Sequence, residues 1–396
     1  MRLAVYISHY ETLGHITRIA SILEGLKESK NRTKILIIHS GKRQEAINLE
    51  RYGEVIYLPY SIGRKGLFLE ENRLIYNKIL NSDGTNFFLK KRLGIMKNVL
   101  RKFKPEIFIT EYYPFGREFW SFELPYILKY IKENFKSKVF SSVGYPSWML
   151  DTNKMLKEFY SGIFFHCPRT YYNGYLNFLE ENSPGRKVLS ETIRDFSKRI
   201  YFTGYILNKK QLIPIKSFKK KLHINNKQKL IVVSRGGGIV NSKIIFCSLG
   251  LAKSMKNVYF LISTGPATTE QEFKKYRYLS RKLKNVKIAK YLPYLEGYLN
   301  DADLSINMAG YNTIVRLLWL KKQSIVIPFK TDEQRFRAHY LEKFGIFKTL
   351  SYESLSFESL RKNVLDMLNN PLDPLHLIGS VDFNGVENMV ELIENA

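Results

Sequence analysis

The sequence predicts an α/β protein made of two Rossmann-like, doubly wound domains. Three observations predict it. Short apolar runs of strand length alternate with helix-period segments along the whole chain. The alternation breaks once, at 205–228 (YILNKKQLIPIKSFKKKLHINNKQ), where basic clusters replace any buried period. And 396 residues are too many for one ordinary core.

The strand-like runs of the first half are LAVYI (3–7), KILIIH (34–39), EVIYLP (54–59), EIFIT (106–110), KVFSS (138–142), GIFFH (162–166) and RIYFTG (199–204). Those of the second half are KLIVVS (229–234), VYFLIS (258–263), VKIAKY (286–291), ADLSIN (302–307) and QSIVIP (323–328). This βαβα order implies parallel sheets covered on both faces. The expected organisation is a first domain over 1–205, a linker over 206–228 and a second domain over 229–375. The segment 376–396 is expected to pack back on the first domain. Ligands of such sheets bind beyond the carboxyl ends of the strands, and the cleft that two such domains face is the expected site.

Apolar content of 44% and aromatic content of 14% fit a globular protein. Cys167 and Cys247 cannot form a disulfide framework and read as buried thiols of a reducing compartment. The run LAVYI is too short for the apolar core of a signal peptide. No apolar run reaches the roughly 20 residues of a membrane span. A cytoplasmic protein is expected, with a peripheral place on the inner face of the membrane as an extension of that reading. The net charge of +27 suggests an anionic partner: a phosphorylated substrate, an anionic membrane surface or nucleic acid. Lys-, Asn- and Ile-rich codon usage in an AT-rich genome explains the same charge without a partner.

Four loops fall at carboxyl ends of expected strands. In MAGYNTIVRLL (308–318) a strand meets a glycine turn, and a helix is expected to start at Asn312 or Thr313, both good N-cap types. The backbone N–H groups and the positive end of that helix dipole make an anion site. An ordinary strand-to-helix turn reads the same way. In IPFKTDEQRFRA (327–338), Glu333 and Gln334 follow a strand, where they can bond sugar hydroxyls, and Arg335 and Arg337 add positive charge.

In SHYETLGHITR (8–18), Gly14 permits a tight turn and His15 sits near the next helix start, placed to take a proton from a hydroxyl or to meet phosphate charge. His9 shares this loop. In TEYYPFGREFWSFELP (110–125), Glu111 directly follows a strand and can orient an acceptor hydroxyl or the histidine. Arg117 can pair with Glu111 or Glu123 or bind an anion. Most rings of this segment read as core, with Tyr112 and Tyr113 kept as candidates to stack on sugar. In SRGGGIVNS (234–242), Gly236, Gly237 and Gly238 let backbone amides approach a pyrophosphate that Arg235 can neutralise, and Gly265 is counted with this donor set.

The GxGxxG spacing of dinucleotide sites and the P-loop pattern are both missing from the sequence. So are HExxH, CxxC and a tight DxD triplet, so no metal and no other cofactor is expected. No GxSxG elbow is present.

The MAGYNT turn, the EQRFRA segment, the SRGGG loop, the LGHITR loop and the EYYPFGREFWSFELP run together resemble a bacterial predicted glycosyltransferase family of GT-B fold. That family is related to the enzyme that adds N-acetylglucosamine to the peptidoglycan lipid precursor. The match runs over roughly residues 1–350. The resemblance implies a nucleotide-sugar donor, usually a UDP-sugar, on the second domain, an acceptor on the first, and a metal-independent reaction. By that likeness Gly236 to Gly238 and Gly310, Tyr311, Asn312 and Thr313 hold the diphosphate. Tyr291 and Leu292 lie against the base, Glu333 and Gln334 face the donor sugar, and His15 is the base. His9, Gly14, Tyr112, Tyr113 and Arg117 then border the acceptor. Two departures stand out. Arg316 occupies the position where such enzymes carry a ribose-binding glutamate, which suits a more anionic donor. Gly144 and Tyr145 stand where an Arg-Asp pair is usual.

The expected function is therefore an inverting transfer of a sugar to an acceptor hydroxyl, on a lipid-linked or other cell-envelope glycan. FFLKKRLGIMKNVLRKFKP (87–105) reads as an amphipathic helix that either packs on the core with a charged outer face or lies on an anionic membrane. The alternatives are a nucleotide-sugar epimerase or hydrolase on the same fold, a basic nucleic-acid-binding, tRNA-modifying protein, and a non-catalytic binding module.

Overall fold

The computed structural model describes residues 1–8, 14–41, 43, 47–59, 61–62, 67–68, 83–212, 218–224, 228–237, 242–329, 331–372 and 381–396. The chain forms two compact units, one of Met1–Ile206 with Asn384–Ala396, the other of Leu207–Phe383.

The first unit holds β1 (Arg2–Ser8), β2 (Lys34–Ser40) and β3 (Glu54–Leu58), then a small antiparallel pair, β4 (Ser61–Ile62) with β5 (Leu67–Phe68). It continues with β6 (Ile107–Glu111), β7 (Lys138–Val143), β8 (Gly162–Phe165) and β9 (Ile200–Phe202). Seven of these strands make one parallel sheet in the order β3-β2-β1-β6-β7-β8-β9. Its central strands are buried throughout because helices cover both faces, which is why they read as unbroken apolar runs. The build direction reverses between β1 and β6, so the carboxyl ends of these two strands border the sheet's switch point.

The helix Gly14–Glu28 buries Ile16, Ile19, Ile22, Leu23 and Leu26 at helical spacing. The C-terminal helix Gly385–Glu394 adds Met389 and Ile393 to the same core. Gly25 allows this close crossing, since a Cβ there would stand 2.5 Å from Val386 Cγ1.

The helix Asp83–Phe103 turns Phe88, Arg92, Met96 and Leu100 inward and leaves Phe87, Lys90, Lys91, Lys97, Arg101 and Lys102 outside. Its stripe is therefore a core face with one arginine in it. Arg92 donates from Nε to Glu123 Oε2 at 2.7 Å and from Nη2 to Glu123 Oε1 and Ser40 Oγ, both at 2.5 Å. The Tyr6 hydroxyl also bonds Glu123.

The second unit holds β10 (Lys229–Ser234), β11 (Val258–Ser263), β12 (Val286–Ala289), β13 (Leu304–Met308), β14 (Ser324–Ile327) and β15 (Phe347–Thr349). They form a parallel sheet in the order β12-β11-β10-β13-β14-β15, with the reversal between β10 and β13. Every strand expected from the sequence is present. β15 and the β4–β5 pair were missed, because two or three residues are too few to show a period.

The stretch expected as a linker belongs from Leu207 onward to the second unit. Phe218, Leu222 and Ile224 are buried there. Asp301 Oδ2 accepts the N–H groups of Phe218 at 2.5 Å and Lys219 at 3.1 Å. Gly297 makes room for the Phe218 ring, whose Cζ lies 2.6 Å from where a Cβ would be. Lys220 and Lys221 lie on its outer face, and Lys219 pairs with Asp303 at 2.8 Å. The expected boundary at 375/376 lies outside the described residues, and the first unit resumes at Asn384. No described helix is long and apolar enough to cross a membrane.

Candidate active site

At the switch point of the first unit, Glu111 is the last residue of β6 and is fully buried. His15 lies in the first turn of the helix that begins at Gly14. The imidazole Nδ1 stands 2.6 Å from Glu111 Oε1. Arg18, one turn further on, donates from Nη2 to the same oxygen and lies 3.4 Å from Nδ1. Its guanidinium occupies the space a side chain at Gly144 would need, with Cζ 2.7 Å from a Cβ there. The Tyr112 ring meets the imidazole edge-on at 4.9 Å and the guanidinium at 5.4 Å. Its backbone takes the left-handed conformation, φ 69°.

Burial pushes the His15 pKa down. The Glu111 charge opposes this, and Arg117 and Arg18 reinforce it, leaving the group at about 4. Burial would raise the Glu111 carboxyl, but His15, Arg18 and Arg117 more than offset it and hold the carboxyl below its ordinary value.

Tyr112 and Tyr113 are both buried, which corrects their assignment as sugar platforms. Tyr112 packs on His15 and on Tyr145, and the Tyr113 carbonyl accepts bonds from Thr110 and Ser141. Arg117 also has a left-handed backbone, φ 64°, and acts on the pair through its charge. Behind this group a third histidine was missed. His166 is buried between Ser142 Oγ at 2.8 Å and Thr203 Oγ1 at 2.9 Å, and Ser142 is the register partner of Glu111. His9 lies outside the described residues.

At the switch point of the second unit, β10 and β13 pair with Ser234 opposite Asn307. Gly310 is the N-cap of the helix Tyr311–Trp319, and its carbonyl accepts the Ile314 N–H at 3.1 Å. The helix thus starts before Asn312 and Thr313, and neither side chain is the cap that their residue types suggested. Gly310 turns the chain without one, and the buried Tyr311 ring under Arg337 anchors the first turn. The first-turn N–H groups still point out of the helix end. A Cβ at Gly310 or at Gly236, whose φ is +80°, would meet none of the described residues within 4 Å. Gly237 follows in the same loop, and Gly238 lies outside the described residues.

Several donor-site expectations need correction. Arg235 is buried, with Nη2 bonded to Thr268 Oγ1 at 2.7 Å, so it braces the glycine loop from within. Gln334 Oε1 accepts the Phe329 N–H at 2.9 Å, and Glu333 is ion-paired with Arg337, so both side chains have local partners. Arg337, read from the sequence as surface charge, is buried and donates to the Ala309 carbonyl at 2.6 Å, clamping the turn before Gly310. Arg316 pairs with Glu296 at 2.7 Å, which neutralises the cation that a more anionic donor would need. Tyr291 is exposed beyond β12, whereas Leu292 is buried. No described group of three or more His, Cys, Asp or Glu can hold a metal ion.

Gly265, with φ +89°, lies against the loop after β10, and a Cβ there would land on the Gly236 carbonyl. Gly265→Ala is expected to cost about 1–3 kcal/mol of stability. An unchanged urea midpoint would show that the two loops part freely.

Residues 230–378, almost all of the described β10–β15 unit, match the family described as the glycosyltransferase family 28 C-terminal domain. The UDP-N-acetylglucosamine–N-acetylmuramyl-(pentapeptide) pyrophosphoryl-undecaprenol N-acetylglucosamine transferase of Clostridium perfringens (strain SM101 / Type A) is 31% identical over 184 residues, 43% of this chain and 47% of the relative. The protein of that name from Sulfurihydrogenibium sp. (strain YO3AOP1) is 25% identical over 50% of this chain and 56% of its own length. The chain thus spans about half the length of these curated relatives. A Caldicellulosiruptor saccharolyticus protein of the same name is 23% identical over 91% of this chain and 87% of its own length.

The crystal structure of Acinetobacter baumannii MurG matches all of both chains with a TM-score of 0.58 at 12% identity. The UDP-GlcNAc 2-epimerase from Neisseria meningitidis, solved with UDP-GlcNAc, covers 100% of this chain and 99% of its own at TM-score 0.60 and 14% identity. At such identities the likeness establishes the fold, which is GT-B. The matched stretch contains Gly236, Gly237, Gly265, Gly310, Arg316 and Arg337, and the His15–Glu111 pair lies in the other unit.

Proposed function

We propose that the chain is an inverting glycosyltransferase that moves a sugar from a UDP-sugar to a hydroxyl of a lipid-linked acceptor without a metal ion. The observation that carries this reading is the His15–Glu111 pair, in a chain whose second unit matches the family 28 C-terminal domain. His15 Nδ1 is committed to the carboxylate, so Nε2 is the nitrogen that takes the acceptor proton. The freed oxygen attacks the anomeric carbon opposite the leaving group. The bond from that carbon to the diphosphate oxygen breaks, and its electron pair leaves with UDP. The first-turn N–H groups of the helix Tyr311–Trp319 and the amides of Gly236 and Gly237 receive the developing charge. Tyr291 offers its exposed ring to the base. His15 then passes its proton to solvent.

Titration calorimetry with UDP, GDP, dTDP and their sugars, each with and without EDTA, tests the donor half. UDP is expected to bind in preference to the others, with a Kd that EDTA leaves unchanged. Incubation with a labelled UDP-sugar and a polyprenyl-diphosphate glycan tests the reaction. Transfer of label to the lipid fraction is expected. Free sugar, or a UDP-sugar epimer, as the product would replace the transferase reading with a hydrolase or epimerase.

The outer face of the helix Asp83–Phe103, with Phe87 and five exposed cations, suits an anionic membrane that carries such an acceptor. The chain is expected to float with phosphatidylglycerol vesicles at low salt and to be released at high salt. Failure to float at low salt would remove the membrane from the proposal.

A further inference from the structure

Glu111 is a carboxylate with no exposure, and its Oε2 has no hydrogen-bond partner. All of its direct compensation therefore enters through Oε1, which His15 Nδ1 and Arg18 Nη2 share. A buried carboxylate with one partner holds that partner charged. With His15 as its sole partner, the carboxylate would draw the proton onto the imidazole, opposed chiefly by burial. An arginine stays charged at every working pH. We infer that Arg18 is a positioning residue that supplies the cation Glu111 requires, so that His15 is oriented by the carboxylate yet left neutral to act as a base.

Several features of the fold serve this arrangement. Gly144, at the carboxyl end of β7, leaves the volume that the guanidinium fills. The Tyr112 ring covers both the guanidinium and the imidazole. The other described groups that face the pair are Arg117 from the loop after β6, Tyr145 behind Tyr112, and His166. Burial, with Arg18 second, keeps His166 neutral. The catalytic consequence rests on the proposed function, but the charge assignment does not.

The test is the proton titration of His15, followed by NMR of the imidazole nitrogens in the full chain and assigned with His15→Gln. In the unaltered protein His15 should remain neutral at pH 6.5, consistent with its depressed pKa of about 4. In Arg18→Met the His15–Glu111 pair should take up its proton about two pH units higher, because a charge that repels the proton is gone. Arg18→Lys should restore most of the depression. Gly144→Ala keeps the arginine but pushes it from its seat, and should shift the titration in the same direction as Arg18→Met. This variant also covers the case in which Arg18→Met does not fold. If transfer is measurable, the acid limb of kcat/KM should move upward with the NMR titration while KM for the UDP-sugar stays constant. A His15 titration that stays where the unaltered protein has it, in folded Arg18→Met or Gly144→Ala, would overturn the inference. A shifted titration in a protein that transfers no sugar would uphold the charge assignment and defeat the proposed function alone.

Discussion

His15→Gln is expected to lower kcat by about 10²–10⁴-fold while leaving UDP affinity unchanged. Glutamine retains a donor that can reach Glu111 but has no nitrogen that accepts a proton at neutral pH. The acceptor hydroxyl, with a pKa far above 7, would then have to lose its proton to water in the transition state. The proposed donor groups, around Gly236 and Gly310, belong to the other unit, so calorimetry with UDP should be indifferent to the change. A kcat within threefold of the unaltered protein would remove His15 from the mechanism. Loss of UDP binding would mean that the variant had disturbed the fold.

The largest effect on stability is expected at Arg92 and Glu123. Both side chains are fully buried, and they share two hydrogen bonds, with further bonds to Ser40 and Tyr6. The network joins the helix Asp83–Phe103 to β1, to β2 and to the start of the helix Leu124–Asn134. The Arg92 guanidinium also lies 5.5 Å from the Phe88 and Trp120 rings. Removing one partner strands the other charge out of water, so Glu123→Ala or Arg92→Leu should cost about 3–5 kcal/mol. The paired replacement Arg92→Leu with Glu123→Leu should recover part of that loss, since no unpaired charge remains. Urea denaturation gives all three values. A single-variant cost below about 1 kcal/mol would mean that water reaches the site.

The sequence by itself determined every strand but β4, β5 and β15, the two-domain α/β class and the four loops where chemistry was expected. Those signals are local. A buried parallel strand is an unbroken apolar run, and a loop's place after it is read from position alone. His15 and Glu111 were legible as separate candidates for this reason. Other assignments failed because a residue type does not say which way its side chain turns. Tyr112 and Tyr113 are common stacking residues, yet both are buried, and Gln334 bonds a backbone N–H five residues away. Arg337 looked like surface charge until its bond to Ala309 was seen. The linker hid its buried face because Phe218, Leu222 and Ile224 are spread among lysines and asparagines.

Only the tertiary structure decided the pairings. His15 meets Glu111 across 96 positions because β1 and β6 are neighbours at the point where the sheet reverses. Gly265 meets Gly236 because β10 and β11 are neighbours in the second sheet. Strand order follows from how the helices pack on both faces of a sheet. That packing is a sum over contacts distant in sequence, and no local period encodes it.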